Sequence, residues 1–216
     1  MQKVTISGMH RSPFRVLCLG AHCDDIEIGC GGSLLKMLGD SISVHVCWVV
    51  FCSNPTRMIE AQHSAEEFLG GAHQKRIIIK EFRDGFLPYS GAEIKDFFET
   101  LKTEFLPDLI FTHYRDDRHQ DHRLISDLTW NTYRDHLILE YEIPKYDGDL
   151  GTPNFYVKLD QQVFRQKMQI LLEYYVSQKN KFWFTEETFL SLARLRGVES
   201  GADHAEAFYC RKILLE

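Results

Sequence analysis

Apolar residues gather in short runs separated by polar, helix-patterned stretches. FRVLCLG (14–20) and ISVHVCWVVFC (42–52) are dense in apolar and β-branched residues without clean alternation, as expected of strands covered on both faces. TRMIEAQHSAEEFLGG (56–71) sets Met58, Ala61, Ala65, Phe68 and Leu69 near the helical period and stops at Gly70-Gly71. KRIIIKEF (75–82) reads as a strand, AEIKDFFETLKTEF (92–105) as a helix, and DLIFTH (108–113), after Pro107, as a strand. SLLKMLGD (33–40) reads as a short helix closed by Gly39. Alternating strands and helices predict parallel pairing through right-handed crossovers, hence a doubly wound, mostly parallel, Rossmann-like α/β sheet with helices on both faces.

The second half is less regular and predicts an α+β portion. HLILEYEIP (136–144) reads as a strand, IPKYDGDLGTPN (143–154) as a Gly/Pro-rich loop and FYVKL (155–159) as a short strand. DQQVFRQKMQILLEYYVSQ (160–178) reads as an amphipathic helix with Asp160 as its N-cap, and EAFYCRKILLE (206–216) as a closing strand. Neither a repeat nor a linker interrupts the chain, so a single domain over residues 1–216 is expected.

Bulk properties narrow the partners. A net charge of −6 and the lack of a Lys/Arg stripe argue against nucleic acid. The longest apolar stretch, VHVCWVVFC, is too short for a membrane span, and MQKVTISGMHRSP has no apolar leader core, so a cytoplasmic protein is expected. The six cysteines form no C-x-x-C pair and lie mostly in or beside apolar strands, which favours reduced core thiols. The composition is compatible with a homo-oligomer.

Chemistry concentrates at two predicted strand ends. AHCDDIEIGCGG (21–32) follows the first strand, and HYRDDRHQDHR (113–123) follows DLIFT. In open parallel sheets reactive groups collect beyond the carboxyl ends of strands, so both clusters can meet at one edge. They offer His22, Asp24, Asp25, His113, Asp116, Asp117, His119, Asp121 and His122. Two histidines and a carboxylate make a common catalytic zinc set, and a divalent cation lets such carboxylates crowd together. His45, His63, His73 and His136 stand apart and are read as structural. Gly29, Gly31 and Gly32 complete neither G-x-G-x-x-G nor a phosphate loop. With a helix starting near Ser33, they are expected to let the backbone turn tightly beneath the metal cluster.

These residues carry a family resemblance. AHCDDIEIGCGG resembles the A-H-P-D-D-x-E-x-G-x-G-G signature of the PIG-L / LmbE-like deacetylases, and HQDH (119–122) resembles their H-x-D-H motif. RMIEAQHSAEEFLG, Asp84-Gly85 with Leu87, PDLIFTH and HAEAF (204–208) are similar to that family's landmarks in the same order, so the resemblance spans about residues 14–210. The family consists of zinc-dependent hydrolases that remove an N-acetyl group from an amino sugar.

Position by position, the resemblance implies His22, Asp25 and His122 as ligands of zinc or another divalent metal, with Asp24 as the general base. It places His119 near the developing oxyanion, Asp121 behind the His119 imidazole, and Arg57 and Asp84 against the sugar. Two positions depart from the pattern. Cys23 stands where the family has proline, its thiol expected to point away from the His22 side chain, and Arg118 stands where some members have tyrosine. Tyr146 and Phe155 of the Gly/Pro-rich loop could stack on a sugar, and Asp147 and Asp149 could bind its hydroxyls. The expected substrate is a soluble glycoside or nucleotide-linked N-acetylhexosamine. A metal-dependent hydrolase of another amide or ester, and a non-catalytic binding protein on the same fold, remain as alternatives.

Overall fold

The computed structural model describes residues 13–39 and 43–214. The N-terminal segment expected to lack an apolar leader core lies outside the described residues. Five strands come first in the chain, β1 (Phe14–Gly20), β2 (Val44–Cys52), β3 (Gln74–Phe82), β4 (Leu109–His113) and β5 (Leu137–Tyr141), followed by β6 (Phe155–Leu159) and β7 (His204–Cys210). Six helices connect them: α1 (Asp25–Gly39), α2 (Pro55–Phe68), α3 (Gly91–Glu104), α4 (Gln120–Thr132), α5 (Gln161–Tyr174) and α6 (Glu186–Ser200).

The seven strands form one sheet in the order β3-β2-β1-β4-β5-β7-β6. The first five pair in parallel; β7 runs antiparallel to both β5 and β6. The expected doubly wound sheet with a less regular C-terminal part is therefore what forms. Both sheet faces are buried, which explains the unalternated strand sequences: Val16 and Cys18 of β1 join one apolar cluster, and Leu17 and Leu19 join the other. The first cluster takes in apolar residues of α1, α2, α5 and α6, and the second those of α3 and α4. All six cysteines are free thiols, and five are buried. Among the described residues, no helix is long and apolar enough to cross a membrane.

The strand order reverses between β1 and β4, which places a crevice beyond their carboxyl ends. Cys18 of β1 pairs with Phe111 of β4, so the loop leaving β1 emerges beside His113. The backbone N–H of Ala21 donates to His113 Nε2 at 2.9 Å.

Two sequence expectations are corrected in this part of the chain. The helix expected near Ser33 begins at Asp25, eight residues earlier. The three motif glycines sit inside that helix, without positive φ, so they do not make a turn. They are small because α1 packs at close range: a Cβ on Gly29 would stand 2.2 Å from Tyr141 Cδ2, and one on Gly31 2.7 Å from the Phe68 ring. Downstream, α4 and α6 were not anticipated by the apolar pattern.

Candidate metal centre and catalytic cavity

Three helix N-termini face the crevice. Asp25 opens α1, His119 caps α4 with Asp121 and His122 in its first turn, and Asn54 caps α2 by accepting the Arg57 N–H at 3.0 Å. Helix N-termini favour negative charge, which helps to hold carboxylates at this edge. A cavity of about 970 Å³ opens here, lined by His22, Asp24, Asp25, Asp84, His119 and His122 among others.

His22, Asp25 and His122 converge on one point. His22 Nδ1 lies 3.1 Å from His122 Nε2 and 3.2 Å from Asp25 Oδ2, and His122 Nε2 lies 3.5 Å from Asp25 Oδ2. Ligands about 2.0–2.1 Å from a tetrahedral ion would stand about 3.3 Å apart, so this triangle has the right size for one. The outer nitrogens fix the ring tautomers. Asp117 Oδ2 sits 2.8 Å from His122 Nδ1, while Asp84 Oδ1 and Asp121 Oδ2 sit 3.1 and 3.3 Å from His22 Nε2. With the outer atoms of neutral rings carrying the protons, both inner nitrogens turn toward one point beside Asp25, where positive charge, an ion or a proton, is stabilised.

Three further groups bring donor atoms within 4.8 Å of one another: the quartet His22, Asp84, His119 and Asp121, and two trios, His22, His119 and His122, and Asp25, His113 and His122. In both trios, the extra histidine has another use. His113 Nε2 accepts the Ala21 N–H, and His119 Nδ1 accepts the Asp121 N–H at 3.3 Å.

The electrostatics agree with a site made for positive charge. Burial opposes a charged Asp25, but His122, His113 and His22 outweigh it and hold the carboxyl well below its ordinary pKa. Burial likewise opposes a proton on His22, yet Asp25 and hydrogen bonds to Asp121, Asp25 and Asp84 raise it well above the usual histidine value. Burial, then repulsion from His113, pushes His122 down to about 4. Burial and the neighbouring His122 and His22 lower His119, which favours a neutral imidazole with its Nε2 proton free to donate.

Asp24 stands outside the triangle. It is buried, lines the cavity, and its Oδ1 lies 2.9 Å from Arg57 Nη2. Arg57, expected against a sugar, is thus held against Asp24, with its guanidinium 4.9 Å from the Tyr175 ring centre. Tyr175 OH lies within hydrogen-bond reach of both the Cys23 carbonyl and Glu27 Oε1, with its single proton available to one of them at a time. Asp84, also expected on sugar, lies on the cavity wall beside His22.

Several sequence expectations change. Asp121 meets His119 through its backbone, whose N–H donates to His119 Nδ1 at 3.3 Å, while its carboxylate accepts the N–H groups of Gly85 (2.7 Å) and Leu87 (3.1 Å) and faces His22. Gly85 adopts φ 78°, the left-handed conformation that suits glycine, and this turns its N–H inward. Phe155 does not reach the cavity, because it pairs with Phe208 in the sheet. Asp149 is not available to a hydroxyl: it bonds Lys145 Nζ (2.5 Å) and the Arg118 N–H (2.7 Å). Tyr146 and Asp147 do line the cavity. The Cys23 thiol donates to the Cys52 carbonyl at 3.3 Å, and burial pushes its pKa up to about 12, so it is a poor metal ligand.

Asp117 was named from sequence only as a member of the second cluster, with no role, and Lys145 was not named. Asp117 bridges His122 and Lys145, whose Nζ lies 2.9 Å away. Burial works against its charge, but the His122 hydrogen bond and nearby cations hold its carboxyl far below the ordinary value. Only its place in the acidic cluster five residues before His122 could have pointed to it.

Solved structures share this fold. N,N'-diacetylchitobiose deacetylase from Pyrococcus horikoshii matches with a TM-score of 0.72 at 21% identity over 95% of this chain and 86% of that one. A zinc-inhibited form of teicoplanin deacetylase matches at 0.69 and 17% identity over 91% and 97%. The 4-carboxy-2-hydroxymuconate hydratase GalB from Pseudomonas putida matches at 0.70 and 14% identity over 94% and 98%. At such identities the likeness is one of fold. The sequence model for GlcNAc-PI de-N-acetylase (PIG-L) matches residues 17–133, from β1 through both histidine–aspartate motifs to the end of α4. Since that match takes in more than half of the chain, the protein belongs to the PIG-L family.

Proposed function

We propose that the protein is a metal-dependent N-deacetylase, with zinc as the first candidate, that hydrolyses the acetamide of an N-acetylated amino sugar. The convergence of His22 Nδ1, His122 Nε2 and Asp25 Oδ2 within 3.1–3.5 Å of one another carries this reading. Family membership and two fold neighbours named as deacetylases support it.

In this reading His22, Asp25 and His122 hold the ion. Such an ion supplies Lewis acidity, polarising a carbonyl oxygen and making water more acidic. Asp24 takes the proton from water as its oxygen bonds to the acetamide carbon. The C–N bond then breaks, Asp24 passes the proton to the departing amine, and acetate and the free amino sugar leave. Arg57 positions the Asp24 carboxylate. His119 donates its Nε2 proton in a hydrogen bond to the oxygen on which charge develops, a contribution typically worth about 3–4 kcal/mol. Asp121 steadies His22 and the Gly85–Leu87 backbone, and Asp84 and Tyr146 are placed to meet the sugar.

The test is metal analysis of the purified protein joined to an amine-release assay on N-acetylhexosaminides. Stoichiometric zinc with acetate and amine released in equal amounts is expected. Zinc-loaded protein that releases no amine from any of them would overturn the reading. A second reading, water chemistry on a different acyl or unsaturated substrate, draws on the fold shared with the hydratase GalB and predicts that negative result.

A further inference from the structure

The Asp24 carboxylate lines the cavity outside the metal triangle, although its neighbour Asp25 belongs to it. Arg57 holds it there, with Nη2 2.9 Å from Oδ1. An arginine side chain has several rotatable bonds, so one ion pair does not by itself fix either partner. The guanidinium needs a support of its own. Tyr175, at the end of α5, supplies one: its ring centre lies 4.9 Å from the Arg57 guanidinium carbon. An aromatic face steadies a cation in this way and leaves its N–H donors free for a carboxylate.

Tyr175 also reaches the backbone that carries Asp24. Its OH lies within hydrogen-bond reach of the Cys23 carbonyl, which belongs to the peptide bond between Cys23 and Asp24. One side chain thus touches both the peptide before Asp24 and the arginine against its carboxylate. The other group within reach of the hydroxyl, Glu27, follows in the same motif. Burying a hydroxyl is costly unless it is bonded, and Tyr175 is fully buried with its bonding partners confined to this segment.

The turn that follows α5 locks the arrangement. In this turn, Val176–Gln178, Ser177 donates its N–H and its Oγ–H to Glu60 of α2 at 2.8 and 2.6 Å. Glu60 stands one helical turn beyond Arg57. Tyr175 is therefore fixed against the same helix that carries the arginine it supports.

We propose that Tyr175 is a positioning residue for the base: through Arg57 and the Cys23–Asp24 peptide it keeps the Asp24 carboxylate facing the attacking water and away from the ion. This rests on the deacetylase reading above, in which Asp24 takes the proton.

The experiment compares Tyr175→Phe, which keeps the ring and removes the hydroxyl, with Tyr175→Leu, which removes both, in the zinc-loaded full chain. On an N-acetylhexosaminide that the unaltered protein hydrolyses, kcat should fall about 3–10-fold in Tyr175→Phe and about 10–100-fold in Tyr175→Leu. KM should stay within about twofold, and zinc should remain stoichiometric. Added to Asp24→Asn, the same substitutions should lower kcat by less than about twofold more, because the group they position is already gone. A tyrosine that only fills space predicts reduced stability with kcat per folded, zinc-loaded molecule unchanged. That result, or an equal loss of kcat with and without Asp24, would overturn the proposal. Should Tyr175→Leu not fold, Tyr175→Phe decides on the same criteria.

Absence of amine release by the unaltered protein from every N-acetylhexosaminide would instead count against the deacetylase reading. The positioning role is then judged on the Co2+-loaded protein. A buried carboxylate deprived of its arginine turns to the nearest other positive charge, here the ion. Arg57→Ala and the Tyr175 variants should bring Asp24 onto the Co2+ and weaken its visible absorption, since a five-coordinate ion absorbs less than a tetrahedral one, and Asp24→Asn should cancel that change. Spectra of the Tyr175 variants identical to that of the unaltered protein rule the role out.

Discussion

Two clusters of buried charge lie along α1, one at its N-terminus and one against its middle turns and the sheet beyond, and they solve the same problem differently. In the second, far cluster, Lys167 Nζ meets Glu206 Oε1 at 2.6 Å, and Arg196 grips Glu142 through two bonds of 2.6 and 2.7 Å. All four residues are buried, and each charge has an opposite charge beside it. The Lys167–Glu206 pair is spliced into the helix ladder: Glu206 accepts the N–H groups of Gly32 and Ser33, and Lys167 donates to the Ile28 carbonyl. At the near end, His22 and His122 turn their carboxylate-bonded nitrogens outward and their inner nitrogens toward one another and Asp25. In the far cluster each acid meets a Lys or Arg, whereas in the near cluster two imidazoles and a carboxylate converge on one point at the spacing of ligands around an ion. The difference lies in the kind of group that faces each carboxylate.

The comparison breaks if chemistry survives loss of the near cluster. His122→Ala should abolish stoichiometric metal, as measured by elemental analysis. Asp24→Asn should retain the metal and lower kcat by about 10²–10⁴-fold, because it removes the proton acceptor and leaves the triangle intact. Loss of metal in Asp24→Asn would move Asp24 into the ligand set.

The far cluster should answer in stability. Glu206→Gln leaves Lys167 buried without its counter-charge, and unfolding by denaturant should show a loss of about 3–5 kcal/mol. The folded fraction should still bind one metal. A selective loss of metal affinity, with stability unchanged, would mean that the two clusters are not separate.

A smaller effect sharpens the division. Asp117 belongs with the near cluster because it orients His122 from behind. Asp117→Asn should weaken metal affinity by about 10–100-fold in competition with a chelator. Lys145→Met, which removes the other partner of Asp117, should weaken it less.

The same division explains what could be read from sequence. β1 to β5 were legible as short apolar runs set between two packed layers, and α2 and α3 by the helical period of their apolar residues. The early start of α1 was not, because Gly29, Gly31 and Gly32 suggest a turn when read locally, and only Tyr141, Phe68 and Leu159 reveal why a helix needs them small. α4 was hidden by the polar motif in its first turn. α6 was hidden because Leu190, Leu195 and Val198 are exposed opposite the buried Phe189 and Ala193, which erases the helical stripe. The proposed metal ligands were legible as a strand-end pattern carried by a resemblance. Their supports, Asp117 behind His122 and Asp121 across to Gly85 and Leu87, depend on long-range geometry that spacing does not encode.

Glu27 provides the intermediate case between the clusters and the smallest test. It is fully buried, accepts from Ser64 Oγ at 2.7 Å and from Tyr175 OH, and has neither a cation nor a place in the metal triangle. Burial, against the opposing hydrogen bonds from Tyr175 and Ser64, raises its pKa from 4.5 to about 8. A carboxyl raised in the folded state contributes stability fully present below its unfolded pKa and lost as pH rises through its folded one. Between pH 6 and 9 the protein should therefore lose stability by at most about 1.4 kcal/mol per pH unit from this group. Glu27→Gln removes the titrating proton, so its thermal midpoint should be flatter over that range and approach or pass that of the unaltered protein at the alkaline end. Parallel curves for the two proteins would show that Glu27 is already ionised in the fold, and that a buried carboxylate here persists without a metal, a cation or a proton.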